Sequence, residues 1–253
     1  MAITIKSERE IELMEAGKIL ERVHNELDKA LRPGMSTKDI DTLGEEIIRS
    51  YGCIPSFLNY NGYPASICVS VNQEVVHGIP DKHRIIQEGD IVSLDAGVIY
   101  KGYHSDAART HAVGEVSEEA KKLIQVTKES FFEGIKFAKA GNHLFDISGA
   151  IGRYAEERGY GVVRDLCGHG IGTALHEAPE IPNYEVGRKG VRLRPGMTLA
   201  IEPMINIGTH EVDWLDDDWT VVTRDGSLSA HYENTILITE GEPRILSLTC
   251  ENE

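Results

Sequence analysis

Residues 89–95 read GDIVSLD and residues 196–202 read GMTLAIE, and the two stretches lie 107 positions apart. Each opens on a glycine, runs through aliphatic and β-branched residues as a buried strand would, and closes on an acid: Asp95 in the first, Glu202 in the second. The same offset returns upstream, pairing Gly34 with Gly141, Asp39 with Asp146, Ile40 with Ile147 and Gly52 with Gly159. His-Gly-Ile occurs at His77 and again at His169, 92 positions on, so the intervening loops differ in length. His104-x-Asp106 is echoed by His231-x-Glu233. A chain that repeats itself in this way predicts two copies of one supersecondary unit.

Each unit reads as helix, helix, strands. Ser7 and Glu10 form a capping-box pattern, after which Leu13, Ala16, Leu20, Val23, Leu27 and Leu31 predict one amphipathic helix ending at Pro33-Gly34. A second run, Ile40, Leu43, Ile47 and Tyr51, stops at Gly52. The later pair follows Ser117 through Ile124, Phe131 and Ile135, breaks at Gly141-Asn142, and resumes with Ile147, Ile151 and Tyr154 as far as Gly159. Two such units with their strands joined predict an α+β fold: one sheet, helices on its outer face, and a pseudo-two-fold axis on which the matched acids meet. No Pro/Gly/Ser-rich linker separates the halves, so residues 1–253 read as a single domain.

At 253 residues, 41% hydrophobic and 26% charged, the chain buries a core without help and is neither disordered nor fibrous. No run approaches the ~18 apolar residues of a membrane span, and the N-terminal stretch turns polar before a signal-peptide core forms, which predicts a soluble cytoplasmic protein. Cys53, Cys68, Cys167 and Cys250 stand far apart without a CxxC pair, suiting a reducing compartment and buried thiols. A net charge of −15 argues against nucleic acid or anionic membrane as a bulk partner.

The chemistry begins with the acids. Residues 91–110 read as two strands about a turn at Tyr100-Lys101-Gly102, which predicts Asp95 and Asp106 opposite each other, about 5 Å apart at Cβ. Such a pair is relieved by a raised pKa, by Arg or Lys, or by a metal. Arg109 is near, but three positions from Asp106 it points to the other face of the strand. Glu202 and Glu233 arrive from the second half with His169, making four carboxylates and one imidazole, a charge two divalent cations neutralise. Oxygen-rich ligation with one nitrogen suits Mn²⁺, Fe²⁺ or Co²⁺ at least as well as Zn²⁺. Two such ions about 3.5–4 Å apart activate water and polarise a carbonyl, which is hydrolytic chemistry.

The landmarks NYNGYPASICVSVNQEVVHGIP (59–80), GDIVSLDAGVIYKGYHSDAART (89–110), CGHGIGTALHE (167–177), RPGMTLAIEPM (194–204) and DDDWTVVTRDGSLSAHYENTILIT (216–239) resemble, over nearly the whole chain, the type I methionine aminopeptidases. The resemblance implies the pita-bread fold: a pseudo-two-fold α/β sandwich with a central curved antiparallel sheet and outer helices. It implies Asp95, Asp106, His169, Glu202 and Glu233 as metal ligands, with Asp106 and Glu233 bridging both ions. His77 would hydrogen-bond the substrate near the scissile amide, His176 would stabilise the developing oxyanion, and Glu202 would also shuttle protons. Phe57, Tyr60, Tyr63, Cys68, Leu175 and Trp219 would form the methionine cup, with His77 and His176 at its reacting end. Phe57 stands where a small cysteine is often found, and Leu175 where an aromatic is frequent; both bear on pocket size. Ser93, Ala96 and Ser229 match positions that offer oxygens to a monovalent cation.

The expected activity is removal of the initiator methionine from nascent chains whose next residue is small, a rule implied by crowding near His77 and Met204 and matched by this chain's own Met1-Ala2. The expected partners are nascent N-termini, with ribosome association as a further option and a monomer as the oligomeric state, the acidic Cys250–Glu253 end giving no oligomer signal. A prolidase-like peptidase on the same fold is the nearest rival; its members carry an added N-terminal domain. A metal-free ribosome-binding homologue is the rival from another class, but all five ligand positions are filled. Among the other histidines, His104 and His231 flank the bridging acids as candidate supports for the carboxylates, His111 reads as a strand residue, and His24, His83, His143 and His210 read as surface.

Overall fold

The computed structural model describes residues 2–249. Met1 and the 250–253 segment, on which the Met1-Ala2 and acidic C-terminus readings fall, lie outside the described residues, as does Cys250. Among the described residues there are five α-helices: α1 (Glu8–Met14), α2 (Ile19–Ala30), α3 (Thr37–Ser50), α4 (Glu118–Ile135) and α5 (Leu144–Glu156). The capping box at Ser7 is formed, Glu10 Oε2 accepting the Ser7 N–H at 2.7 Å. The single helix expected from there to Pro33 is instead two, joined by a 3₁₀ turn at Glu15–Lys18. The cause is Gly17, where a Cβ would come within 2.6 Å of the Ser105 side chain. The turn tightens so that this bare Cα seats on the strand, and the Ser105 hydroxyl donates to Met14 O at 3.1 Å.

The first half is built on the Ile91–Tyr100 strand, which pairs antiparallel with Ile54–Pro55, Cys68–Val71 and Tyr103–Ala112. The second is built on Thr198–Ile201, between Gly168–Gly170 and Asn234–Leu237, with Glu177–Ile181 and Arg244–Ile245 outside them. α2 and α3 bury Leu20, Val23, Leu27, Ile40 and Ile48 against Val92, Leu94 and Val98 of the first sheet. α4 and α5 bury Phe131, Leu144, Ile147 and Ile151 against Leu199, Ile201 and Ile236 of the second.

The two halves repeat each other bond for bond at the entrance to their second helices. Gly34 N–H donates to Ile86 O at 2.9 Å and Gly141 N–H to Leu193 O at 3.0 Å, and both glycines hold φ +92°. Gly89 and Gly196, the first letters of the two diagnostic stretches, hold φ +90° and +85°. Only glycine adopts these angles cheaply, which is why the repeat is written in glycines.

The halves are sewn together along one register. Thr110 Oγ1 receives the His231 N–H at 2.9 Å, Ala108 and Glu233 exchange main-chain bonds at 3.3 and 3.0 Å, and Thr235 Oγ1 receives the Asp106 N–H at 2.8 Å. Tyr103–Ala112 of the first half therefore lies beside residues 231–235 of the second.

Candidate metal centre

The seam decides where the acids go. Asp106 faces Thr235 and Ala108 faces Glu233, so acids 127 residues apart in sequence arrive two register positions apart. The hairpin that carries Asp95 and Asp106 differs in register from the expectation: its turn is the two-residue Lys101-Gly102, at φ +48° and +87°, and Tyr100 pairs with Tyr103. Asp95 thus faces Ala108, and Asp106 faces Gly97. Because the shift is by two, the acids stay on one face as diagonal neighbours. Gly97 has its own reason to be glycine: a Cβ there would stand 2.8 Å from the Phe57 ring, which forms a wall of the same cavity.

Ligand atoms of Asp106, His169 and Glu233 lie within 4.8 Å of one another. Glu202 Oε1 stands 3.5 Å from His169 Nε2, and Asp106 is near enough to Asp95 to raise its pKa. His169 Nδ1–H donates to Gly170 O at 2.8 Å, which fixes the ring and leaves Nε2 as the lone pair toward the acids. Burial holds this imidazole neutral, its pKa lowered to about 3. Burial also raises all four carboxyls, Asp106 to about 7, and repulsion from Asp106 adds to the rise at Asp95, Glu202 and Glu233. Asp95 Oδ1 and Glu233 Oε1 are buried oxygens without a protein partner. Three buried acids, two with orphaned oxygens, and the half-buried Glu202 around one neutral imidazole fit divalent cations: oxygen-rich donors whose own repulsion a cation cancels.

These five side chains form the floor of a cavity of about 180 Å³. His77 and His176 stand on its wall, together with Phe57, Tyr60, Tyr63, Cys68, Leu175 and Trp219. Tyr60 Oη and His176 Nδ1 are 2.7 Å apart, and the His176 ring packs 4.2 Å from that of His169. Tyr63 donates to Gly78 O at 2.9 Å and meets Trp219 edge-on at 5.0 Å. His77 sits at φ +59°, a strained angle for its size, and burial, with His176 nearby, lowers its pKa to about 4.

The sequence reading did not name Asn61, which also lines the cavity, at φ +48° between two tyrosines. Nor did it name Thr235 and Asn183, two of three supporting residues, while the third, Arg109, it set aside as pointing to the other face of the strand. Thr235 brackets the Asp106 main chain, Asn183 donates to Glu202 O at 3.0 Å, and Arg109 donates to Glu233 O. Thr235 stands two residues after Glu233 on the seam, the one signal that pointed to it. Of the two histidines expected beside the acids, His231 Nε2 lies 3.9 Å from Glu202 Oε2, whereas His104 Nδ1 bonds Ser56 Oγ at 3.0 Å. His24, expected on the surface, is 3% exposed, its Nε2–H donating to Ala107 O at 2.9 Å. Cys53 and Cys68 are buried and Cys167 half-buried.

Residues 12–240 match the family described as "Metallopeptidase family M24". A methionine aminopeptidase of Clostridium acetobutylicum is 58% identical over 98% of this chain and 100% of its own. The solved methionine aminopeptidase of Thermotoga maritima superposes with a TM-score of 0.95 at 47% identity, covering 98% of this chain and 100% of that one. A solved Xaa-Pro dipeptidase from Bacillus anthracis stands further off, with a TM-score of 0.76 and 28% identity over 98% of this chain and 63% of its own.

Proposed function

Since the chain belongs to metallopeptidase family M24, among the type I methionine aminopeptidases, we propose that the buried acid–imidazole cluster is the centre at which it removes N-terminal methionine. The chain is a metallo-exopeptidase that uses divalent metal and takes the N-terminal methionine from polypeptides. Asp95, Asp106, His169, Glu202 and Glu233 would hold two divalent ions, Mn, Fe, Co or Zn. When bound, divalent ions polarise a carbonyl and make water nucleophilic near neutral pH. The observation that carries this reading is the pair of orphaned oxygens on Asp95 and Glu233 within a cluster contributed by both halves.

The protein's own groups do the rest. Phe57, Tyr60, Tyr63, Cys68, Leu175 and Trp219 hold the thioether, and a cavity of about 180 Å³ suits one unbranched side chain. Phe57 in place of a smaller residue narrows that cup. His77 holds the scissile amide and His176 donates to the oxygen that gains charge, its Nδ1 being engaged by Tyr60. Glu202 takes the proton of the attacking water and returns it to the departing amine. His77 on the cavity wall would crowd the second residue and favour a small one, while Met204 is fully buried beside Val75 and Val76 and does not line the cavity.

The side chains of Ser93 and Ser229 are engaged with Thr110 Oγ1 and Ile205 O, so a monovalent cation near Ser93, Ala96 and Ser229 would be held by main-chain oxygens. The whole chain acts as one catalytic domain and as a monomer in the cytoplasm, on nascent chains leaving the ribosome; no helix among the described residues is long and apolar enough to cross a membrane.

The test is hydrolysis of Met-Ala-Ser against Lys-Ala-Ser by protein stripped with chelator and reloaded with Mn²⁺, Fe²⁺, Co²⁺ or Zn²⁺ without oxygen. Cleavage of the first peptide alone, restored by metal, is expected. Comparable rates on both would remove the substrate assignment. For the ligand set, His169→Ala is expected to lose at least one metal per chain by elemental analysis, and an unchanged content would remove His169 from it.

A further inference from the structure

A second cavity, of about 510 Å³, lies on the helix-covered side of the seam, between α2, α4 and the Tyr103–Ala112 strand, and takes no part in the chemistry above. Its polar lining is unusual in what it leaves unspent. Arg109 enters it half-buried, its guanidinium 4.3 Å from the Tyr232 ring centre. That guanidinium gives three hydrogen bonds, all to carbonyl oxygens: Ala108 O at 2.7 Å, Glu233 O, and Asn234 Oδ1 at 2.6 Å. A guanidinium has five N–H groups, so two remain, and the charge is matched by no directly bonded carboxylate. Lys128, exposed on α4 at the same cavity, adds a second cation.

Two imidazoles complete the lining. His24 spends Nε2–H on Ala107 O, and His111 spends Nδ1–H on Asp28 Oδ1 at 2.7 Å. The other nitrogen of each, His24 Nδ1 and His111 Nε2, is buried without a partner, and the rings stack with centroids 6.1 Å apart. In these tautomers both nitrogens are acceptors. The acid that lines the same cavity, Glu21, receives both the main-chain N–H (2.6 Å) and the hydroxyl of Thr249. Phe132, Ile124 and Leu248 supply apolar wall.

Unspent cationic donors beside unpartnered imidazole nitrogens define a ligand with both an anionic end and hydroxyl groups. A bare cation would meet Arg109, and a plain anion would leave the imidazole lone pairs facing oxygen. We propose that this cavity is a second binding site, for a small hydroxylated organic anion. Its phosphate or carboxylate sits on Arg109 and Lys128, and its hydroxyls donate to His24 Nδ1 and His111 Nε2. The site backs onto the metal centre: Arg109 grips the Glu233 main chain, and His231, which also lines the cavity, is the neighbour of Glu202.

The test is calorimetric titration of sn-glycerol 3-phosphate, and separately of glycerate, into metal-loaded protein at fixed ionic strength with saturating free methionine, so that the first cavity is blocked. The expected result is one-to-one binding of at least one of the two, weakened about tenfold or more by Lys128→Glu. His111→Leu is expected to weaken it as well. The tighter of the two ligands identifies phosphate or carboxylate as the anionic group. Lys128 is exposed and tied to no other element, so Lys128→Glu keeps the fold. Absence of heat from both ligands, or binding that Lys128→Glu leaves unchanged, overturns the proposal.

Discussion

His176 is held by one atom and free at another. Its Nδ1 is engaged by Tyr60, its ring lies against His169, and its second nitrogen is the one left for substrate. A donor that meets charge only as it develops acts on the transition state, so His176→Ala is expected to lower kcat about 10²-fold with KM nearly unchanged. Steady-state kinetics on Met-Ala-Ser decide this, and a loss carried by KM alone would remove the role. His24 makes the opposite case: no chemistry, but a titration that bears on stability. Burial, with Arg109 nearby, lowers its pKa well below the ordinary 6.5. The unfolded chain therefore takes up a proton at that site before the folded chain does, and the contribution of His24 to stability is full above 6.5 and lost as pH falls. Urea midpoints between pH 7.5 and 5.5 should fall more steeply for the wild type than for His24→Gln, and parallel slopes would contradict this. The burial of His24 was within reach of the sequence, since it completes the helical stripe Leu20, His24, Leu27. What hid it was the residue type, because a histidine on an apolar stripe needs a main-chain acceptor that sequence does not reveal.

At the scale of elements, the strands around Asp95 and Asp106 were legible and their register was not. Alternation and the glycine locate a hairpin, but turn length sets which residues face each other, and two adjacent residues at positive φ close it in two rather than three. The first helix teaches the same lesson: apolar spacing runs unbroken through Gly17, and only the approach of Ser105 splits it. The turn itself is a test. Gly102 sits at φ +87° with open space where a Cβ would project, so Gly102→Ala costs conformation alone, about 1 kcal/mol. The melting temperature should drop by about 2–4 °C, with kcat/KM on Met-Ala-Ser unchanged, because the next ladder pairs still fix both acids. A loss of activity without a loss of stability would mean that the turn, and not the ladder, positions them.

In the whole molecule, the duplication was the most legible feature, because both copies need glycine at the same left-handed turns. The seam was not, since its register is carried by main-chain bonds and by Thr110 and Thr235, which no periodicity marks. Yet the seam is what stores acids from both halves in one buried volume, and this ties folding to metal. Buried and repelling, the carboxyls hold protons at a pH where exposed acids have lost them, Asp106 up to about 7. In the folded chain, ligation must displace those protons, so metal competes with them and gains as pH rises. The metal-dependent part of stability, the melting temperature with saturating Mn²⁺ less that in chelator, is therefore expected to be small at pH 5.5 and to grow through pH 7.5. Asp106→Asn, which takes one of the displaced protons out of the competition, should flatten that rise. A metal-dependent increment that stays constant across this range in the wild type would mean that the ions bind somewhere other than among these acids.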